Sequence, residues 1–155
     1  MKSTFKTQIK KFNELRLKEL HDIYLFRQEI FIVEQECAYL DTDGFDPMAY
    51  HLFIKNDEGK VIAYSRLIPP AIQYEGFVAI GRVAVKREYR KKGWARKIME
   101  ESIHLAKKRY SGYAIKISAQ CYLQKFYESM HFSVVGDSYL EDGIPHIAMI
   151  MKPRS

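Results

Sequence analysis

The sequence predicts an α+β domain, mixed α/β in character: a mostly antiparallel twisted sheet with one parallel crossover and helices on both faces. Helical and strand periodicities alternate along the chain, and no repeat or linker divides it. A strand, a helix and a second strand occupy about 77 to 118, and strands joined through a helix pair parallel. The remaining strands are joined by short turns, which antiparallel neighbours accept.

The element order read along the chain is β-α-β-β-β-α-β-α-β-β. Leu20, Ile23, Tyr24, Arg27 and Phe31 recur at i, i+3, i+4 spacing and predict a helix over roughly 18–33. A polar stretch, Glu36 to Pro47, follows with turn formers Asp43-Gly44 and Asp46-Pro47. Strands of about 49–55 and 60–68 flank Asn56-Asp57-Glu58-Gly59 as a hairpin, and Pro69-Pro70 ends the second. The next strand, about 77–86, carries Ile80, Val83 and Val85. Ala95, Ile98, Met99, Ser102, Leu105 and Ala106 share one face of a helix over 93–109, which Gly112 closes. Ile115 and Ile117 mark a short strand; Leu123, Phe126, Tyr127 and Met130 mark a short helix. Val134-Val135 and Ile144 to Met151 complete the sheet around the turn Glu141-Asp142-Gly143.

With 155 residues the chain has the size of one domain, 1–155, and can bury a core without disulfides or a structural metal. A hydrophobic fraction of 47% against 28% charged excludes a wholly disordered chain. No apolar run is long enough to cross a membrane as a helix, and the segment Met1 to Lys6 lacks the apolar core of a leader. Cys37 and Cys121 stand far apart and build no framework, which fits a reduced, cytoplasmic setting. The net charge of +6 favours an anionic partner without naming one.

The most informative segment follows the strand Val83-Ala84-Val85. Seven of the twelve residues from 86 to 97 are Lys or Arg, and a helix begins inside that run. A helix N-terminus offers unpaired N–H groups to a phosphate, and Gly93 and Ala95 let it approach the backbone. Neither a P-loop nor a Rossmann glycine pattern is present. What stands is Arg90-x-x-Gly93-x-Ala95, directly after a strand. On its own such a run also reads as a solvated face.

An R-x-x-G-x-A loop after a V-x-V strand resembles the acetyl-CoA pyrophosphate loop of the GNAT N-acetyltransferase family. Gln120, followed seven positions later by Tyr127 within Phe126-Tyr127-Glu128-Ser129-Met130-His131-Phe132, resembles that family's next motif. The segments Arg27 to Cys37, Gly81-Arg82-Val83 and Glu141 to Ile147 narrow the resemblance to the ElaA-like branch. It implies direct transfer of an acetyl group from acetyl-CoA to an amine acceptor, a small molecule or a peptide. Val83, Ala84 and Val85 would pair with the pantetheine amides. The amides of Arg90, Lys91, Lys92, Gly93, Trp94 and Ala95, with Arg96 beside them, would hold the pyrophosphate, and Gln120 the pantetheine arm. The family also splays the strands near 83 and 117. His131 departs from the family's glycine, at a position past a helix end that often needs positive φ.

Acetyl transfer needs a neutral amine, donors for the developing oxyanion and a proton for the departing thiolate. A phenol can supply that proton, and Tyr127 occupies the place of the family's acid; it also fits the core stripe of Leu123, Phe126 and Met130. Glu34 is the candidate base, because it ends the first helix near the expected acceptor cleft. Cys121 has no His or Asp placed to activate it, and Cys37 reads as a small buried residue. Asp41-x-Asp43-Gly44 lacks the later ligands of a calcium loop, and the acids of the polar stretch read mostly as solvated charge. Arg27, Arg66 and Arg82 interrupt apolar patterns, so each is either internally paired or an acceptor ligand. His146 joins them as an acceptor contact. The expected protein is a monomer or homodimer that engages neither nucleic acid nor membrane. Two alternatives remain: a nucleic-acid-binding module using 86–97, which needs exposed aromatics among the basic residues, and an idle acyl-CoA sensor.

Overall fold

The computed structural model describes residues 5–153; Met1 to Thr4, part of the segment without a leader's apolar core, lies outside them. Strand β1 (Thr7–Lys11) leads into helix α1 (Leu17–Arg27), then β2 (Tyr50–Lys55), β3 (Val61–Ile68) and β4 (Phe77–Val85). Helix α2 (Trp94–Arg109), β5 (Ala114–Gln120), the short helix α3 (Gln124–Glu128), β6 (Ser133–Glu141) and β7 (Ile144–Met151) complete the chain. The seven strands make one sheet in the order β1-β2-β3-β4-β5-β7-β6. Only β4 and β5 pair parallel, as the strand–helix–strand crossing requires.

Alternation along β2, and along β3 with a bulge at Ile62, sorts the core between two faces. Leu52, Ile54 and Ile62 face α2, where Ile98, Met99, Leu105 and Ala106 pack on them. Phe53, Val61 and Tyr64 face α1, against Ile23, Phe26 and Ile30. The sheet is therefore a middle layer with a helix on each side.

Three elements run differently from the sequence reading. The helix expected over 18–33 is α-helical only to Arg27; Gln28–Glu34 continues it as a wider π-helical turn. There the N–H of Gln35 reaches Ile30 O at 3.2 Å and that of Cys37 reaches Ile32 O at 3.1 Å. Side-chain spacing over two turns cannot reveal one extra residue per turn. Strands β5 and β6 exceed the residues 115–117 and 134–135 expected of them. Ser118 and Gln120 face a cleft and not the core. In β6, three residues separate Val135 from Tyr139 where β7 has only Ile147 between their partners, so the bulged edge strand shows no alternation.

Turn chemistry is as expected at both ends of this half. Asp142 and Gly143 have φ of 51° and 77°, the two positive values that a type I′ hairpin turn needs. After α3, Phe132 N–H bonds Tyr127 O at 3.2 Å and His131 N–H bonds Glu128 O at 3.0 Å. That pair is a Schellman closure, and the Phe132 and Tyr127 rings meet edge to face, 6.0 Å apart. His131 occupies its left-handed position with φ 76°. His131→Gly should therefore raise unfolding free energy by about 1 kcal/mol, seen as a higher midpoint in chemical denaturation.

Candidate active site

The parallel pair holds only at its start. Phe77, Val78 and Ala79 pair with Ala114, Ile115 and Lys116, and beyond them β4 and β5 diverge. A bulge on the other edge of β4 accompanies the divergence. Tyr64 pairs with Ala84 and Arg66 with Gly81, so Arg82 and Val83 together oppose Ser65 alone. Arg82 takes a left-handed φ of 52° there. From Ile80 onward the β5-facing edge of β4 is open backbone, and Val83, Ala84 and Val85 lie along it.

Downstream of β4 the basic loop turns into α2. Lys91 and Gly93 have φ of 62° and 90°, and no atom lies within 4 Å of where a Gly93 Cβ would stand. Among the described residues, the N–H groups from Lys91 to Arg96 have no acceptor within the chain: the first three lie in the loop and the others in the first helical turn. They form a concave run of donors at a helix start, suited to phosphate oxygens. Arg90 N–H is not part of it, because it bonds Arg87 O at 3.2 Å. The Arg90 side chain instead bonds Val85 O at 2.8 Å and grips Glu34 through contacts of 2.7 and 3.0 Å. Arg96 is held by Ser129 Oγ at 2.8 Å and lies over the Phe126 ring. Trp94 puts only its amide toward the loop. Its ring is 8% exposed and stacks on Phe5 at 5.7 Å.

Two cavities meet at the divergence. One, about 500 Å³, runs along Val83 to Val85 and the basic loop. The other, about 260 Å³, lies toward the β6–β7 hairpin and includes Ser118, Glu141 and His146. Phe31, Gln35, Val83, Gln120, Leu123 and Tyr127 border both. Tyr127 is buried in α3, yet its hydroxyl has no hydrogen-bond partner among the described residues. Burial pushes the phenol up, so it stays protonated across neutral pH. The Gln120 side chain is likewise without a partner there.

Several sequence expectations are corrected here. Glu34 is no free base: Arg90 engages both its carboxylate oxygens, and it borders the loop-side cavity only. Asp41 and Asp46 are buried, and Asp43, nearer the surface, is paired as well. Arg27 donates to Asp41 at 2.7 Å and Asp46 at 2.8 Å, Arg66 to Asp43 at 2.7 Å and Asp46 at 3.0 Å, and Arg82 to Asp41 at 2.8 Å. Three cations thus meet three anions, and Arg27, wholly buried, borders neither cavity. Arg66 and Arg82 do border the smaller cavity, with their charges already matched. Burial pushes Asp46 up, but the bonds from Arg27 and Arg66 outweigh it and hold the carboxyl below its usual range. Cys37 is half-buried on the cavity wall, with Sγ 3.6 Å from Asp142 O. His146 borders the smaller cavity, Nδ1 at 2.7 Å from Ile144 O and Nε2 at 3.5 Å from Glu141.

Sequence reasoning missed Ser118, Tyr139 and Glu141. Ser118 Oγ bonds the Tyr139 hydroxyl and lies 3.3 Å from Glu141 Oε1. Nothing in their local pattern marks them, since cross-strand register alone brings them together. Of the two aromatics among the basic residues, Trp94 is buried, and Tyr89 is half-buried with its hydroxyl receiving Asn56 Nδ2 at 3.1 Å.

A sheet opened between its two parallel strands, with a donor-lined loop at one strand's end, is the architecture of an acyl-CoA acyltransferase. Residues 33–153 match the family described as Acetyltransferase (GNAT) domain, and the chain belongs to that family. It is 45% identical over 141 residues to UPF0039 protein C11D3.02c of Schizosaccharomyces pombe, covering 90% of this chain and 92% of that one. Identity to Protein ElaA of Escherichia coli is 35% over 140 residues, 88% of this chain and 90% of that one. Among solved structures, an acyl-CoA N-acyltransferase from Pseudomonas aeruginosa superposes with TM-score 0.90 at 37% identity, covering 96% and 99% of the two chains. The crystal structure of Escherichia coli ElaA superposes with TM-score 0.90 at 30% identity, covering 96% and 100%.

Arg27→Met tests the ion network. Removing the cation leaves Asp41 and Asp46 short of a buried partner, and should cost about 3–5 kcal/mol of stability in chemical denaturation.

Proposed function

We propose that this chain is an acetyl-CoA-dependent N-acetyltransferase that moves the acetyl group directly to an amine. One observation carries the reading: two cavities, one donor-lined and one polar, share a wall at the strand divergence. Bound in the larger cavity, acetyl-CoA would supply an activated thioester. The amides from Lys91 to Ala95, with Arg96 beside them, would hold its pyrophosphate, and the open edge at Val83 to Val85 would pair with the pantetheine amides. Gln120, unpartnered at the end of β5, would orient that arm where the cavities meet. In the transfer the C–N bond forms as the C–S bond breaks. Tyr127 holds a proton on its hydroxyl at the shared wall and gives it to the departing sulfur, while the amine's proton passes to water in the smaller cavity and through it restores the Tyr127 phenol.

Gly93→Glu tests the cofactor half. The variant places a carboxylate among the loop's donors, and calorimetry should show CoA affinity reduced at least 100-fold, with the fold retained by circular dichroism. Unchanged affinity would remove the loop from the assignment.

Tyr127→Phe tests the acid. The hydroxyl has no protein partner to lose, so the thermal midpoint and CoA affinity should stay near wild type. Turnover with an accepted amine should fall by roughly 10²- to 10⁴-fold. A wild-type rate in the folded variant would give the proton transfer to water.

A further inference from the structure

Resting on that reading, we infer that the acceptor is a small amine with a second cationic group about 5 Å from its reacting nitrogen, which the Glu141 carboxylate receives. The smaller cavity, at about 260 Å³, admits only a small molecule or the tip of a larger one. Its charged walls are unequal. Arg66 and Arg82 are matched by Asp41, Asp43 and Asp46. Glu141 has no Lys or Arg within ion-pair distance among the described residues, only His146 at 3.5 Å. Its side chain is 48% exposed, so it remains open to a ligand.

The spacing comes from the strands. Glu141 Oε1 lies 3.3 Å from Ser118 Oγ, which places the carboxylate above β5 at residue 118. Gln120, on the same face of β5 and bordering both cavities, is two residues farther along, or about 7 Å. A nitrogen reacting at the shared wall therefore sits about 7 Å from the carboxylate, which a diamine with about three or four methylenes spans together with its hydrogen bond to the carboxylate. The Tyr139 hydroxyl on Ser118 and His146 beside Glu141 hold the carboxylate in that position.

A homologous set of amines decides this. Calorimetric titration of wild-type protein, with and without CoA, should find 1,4-diaminobutane binding about tenfold or more tighter than butylamine, the worth of a hydrogen bond to a charged group. The anionic analogue 4-aminobutyrate should bind more weakly than either. In Glu141→Gln the advantage of the diamine should vanish, and kcat/KM should fall about tenfold more for the diamine than for butylamine. Equal binding of diamine and butylamine by wild type would overturn the inference. So would an equal fall in kcat/KM for both amines, which would mark Glu141 as a base for the reacting nitrogen. Failure of CoA to bind would count against the transferase reading alone, because the titration without CoA still reports the diamine's site.

Discussion

The set of three arginines and three aspartates beneath the sheet is the constraint on which the site depends. Burying a guanidinium is tolerable only with carboxylates to meet it, and no partner is near in sequence. Arg27 on α1, Arg66 on β3 and Arg82 on β4 each reach into the stretch from Asp41 to Asp46. A long polar connection is thereby folded inward against the sheet. His51 extends the network as a neutral imidazole: Nε2–H donates to Asp46 O at 2.9 Å, and Nδ1 accepts from the Tyr64 hydroxyl at 2.6 Å. Burial pushes this histidine down and keeps it uncharged among the cations. The wall of the smaller cavity, from Cys37 to Arg82, is what this network holds in place.

The same network explains how β4 can break its ladder. Arg82 adopts a left-handed conformation that costs a non-glycine residue on the order of 1–2 kcal/mol. Contacts to Asp41 and to Asp43 offset that cost by fixing the guanidinium at a charged, partly buried position. The bulge in turn bends β4 away from β5, and the opening between parallel strands becomes a cleft with free backbone along one side. Arg90 closes the other end of the arrangement. It joins Val85 O to Glu34, so the π-helical end of α1 is tied to the basic loop.

Elements governed by local rules could be read from the residues alone. The helix start at Gly93, the type I′ turn at Asp142-Gly143 and the left-handed His131 each follow from neighbours within a few positions. The donor-lined loop belongs to this class, which is why its motif could be found without any structure. Features made by long-range pairing could not be read. Whether Arg27 met an acceptor or an aspartate depended on a partner fourteen positions along the chain, and Glu34 lost its basic role to Arg90, 56 positions away. Ser118 and Glu141 became neighbours only through the register of β5, β7 and β6. The extra residue per turn in Gln28–Glu34 left no trace in a pattern that tolerates it.

Three of the six residues shared by the cavities, Gln120, Leu123 and Tyr127, come from one short stretch, and this limits how far their geometry can drift. Gln120 ends β5, a single 3₁₀ turn (Cys121–Leu123) follows, and α3 places Tyr127 one turn later. The Schellman bond from Phe132 and the ring contact with it then fix Tyr127 from the far side. Its ring is consequently a core residue and its hydroxyl a cavity group at once. The two roles that the sequence left as alternatives are compatible. Packing holds the ring, and the absence of a partner among the described residues leaves the hydroxyl to whatever occupies the junction. A proton donor needs this combination, because its position must be rigid while its hydrogen bond stays uncommitted until substrate arrives.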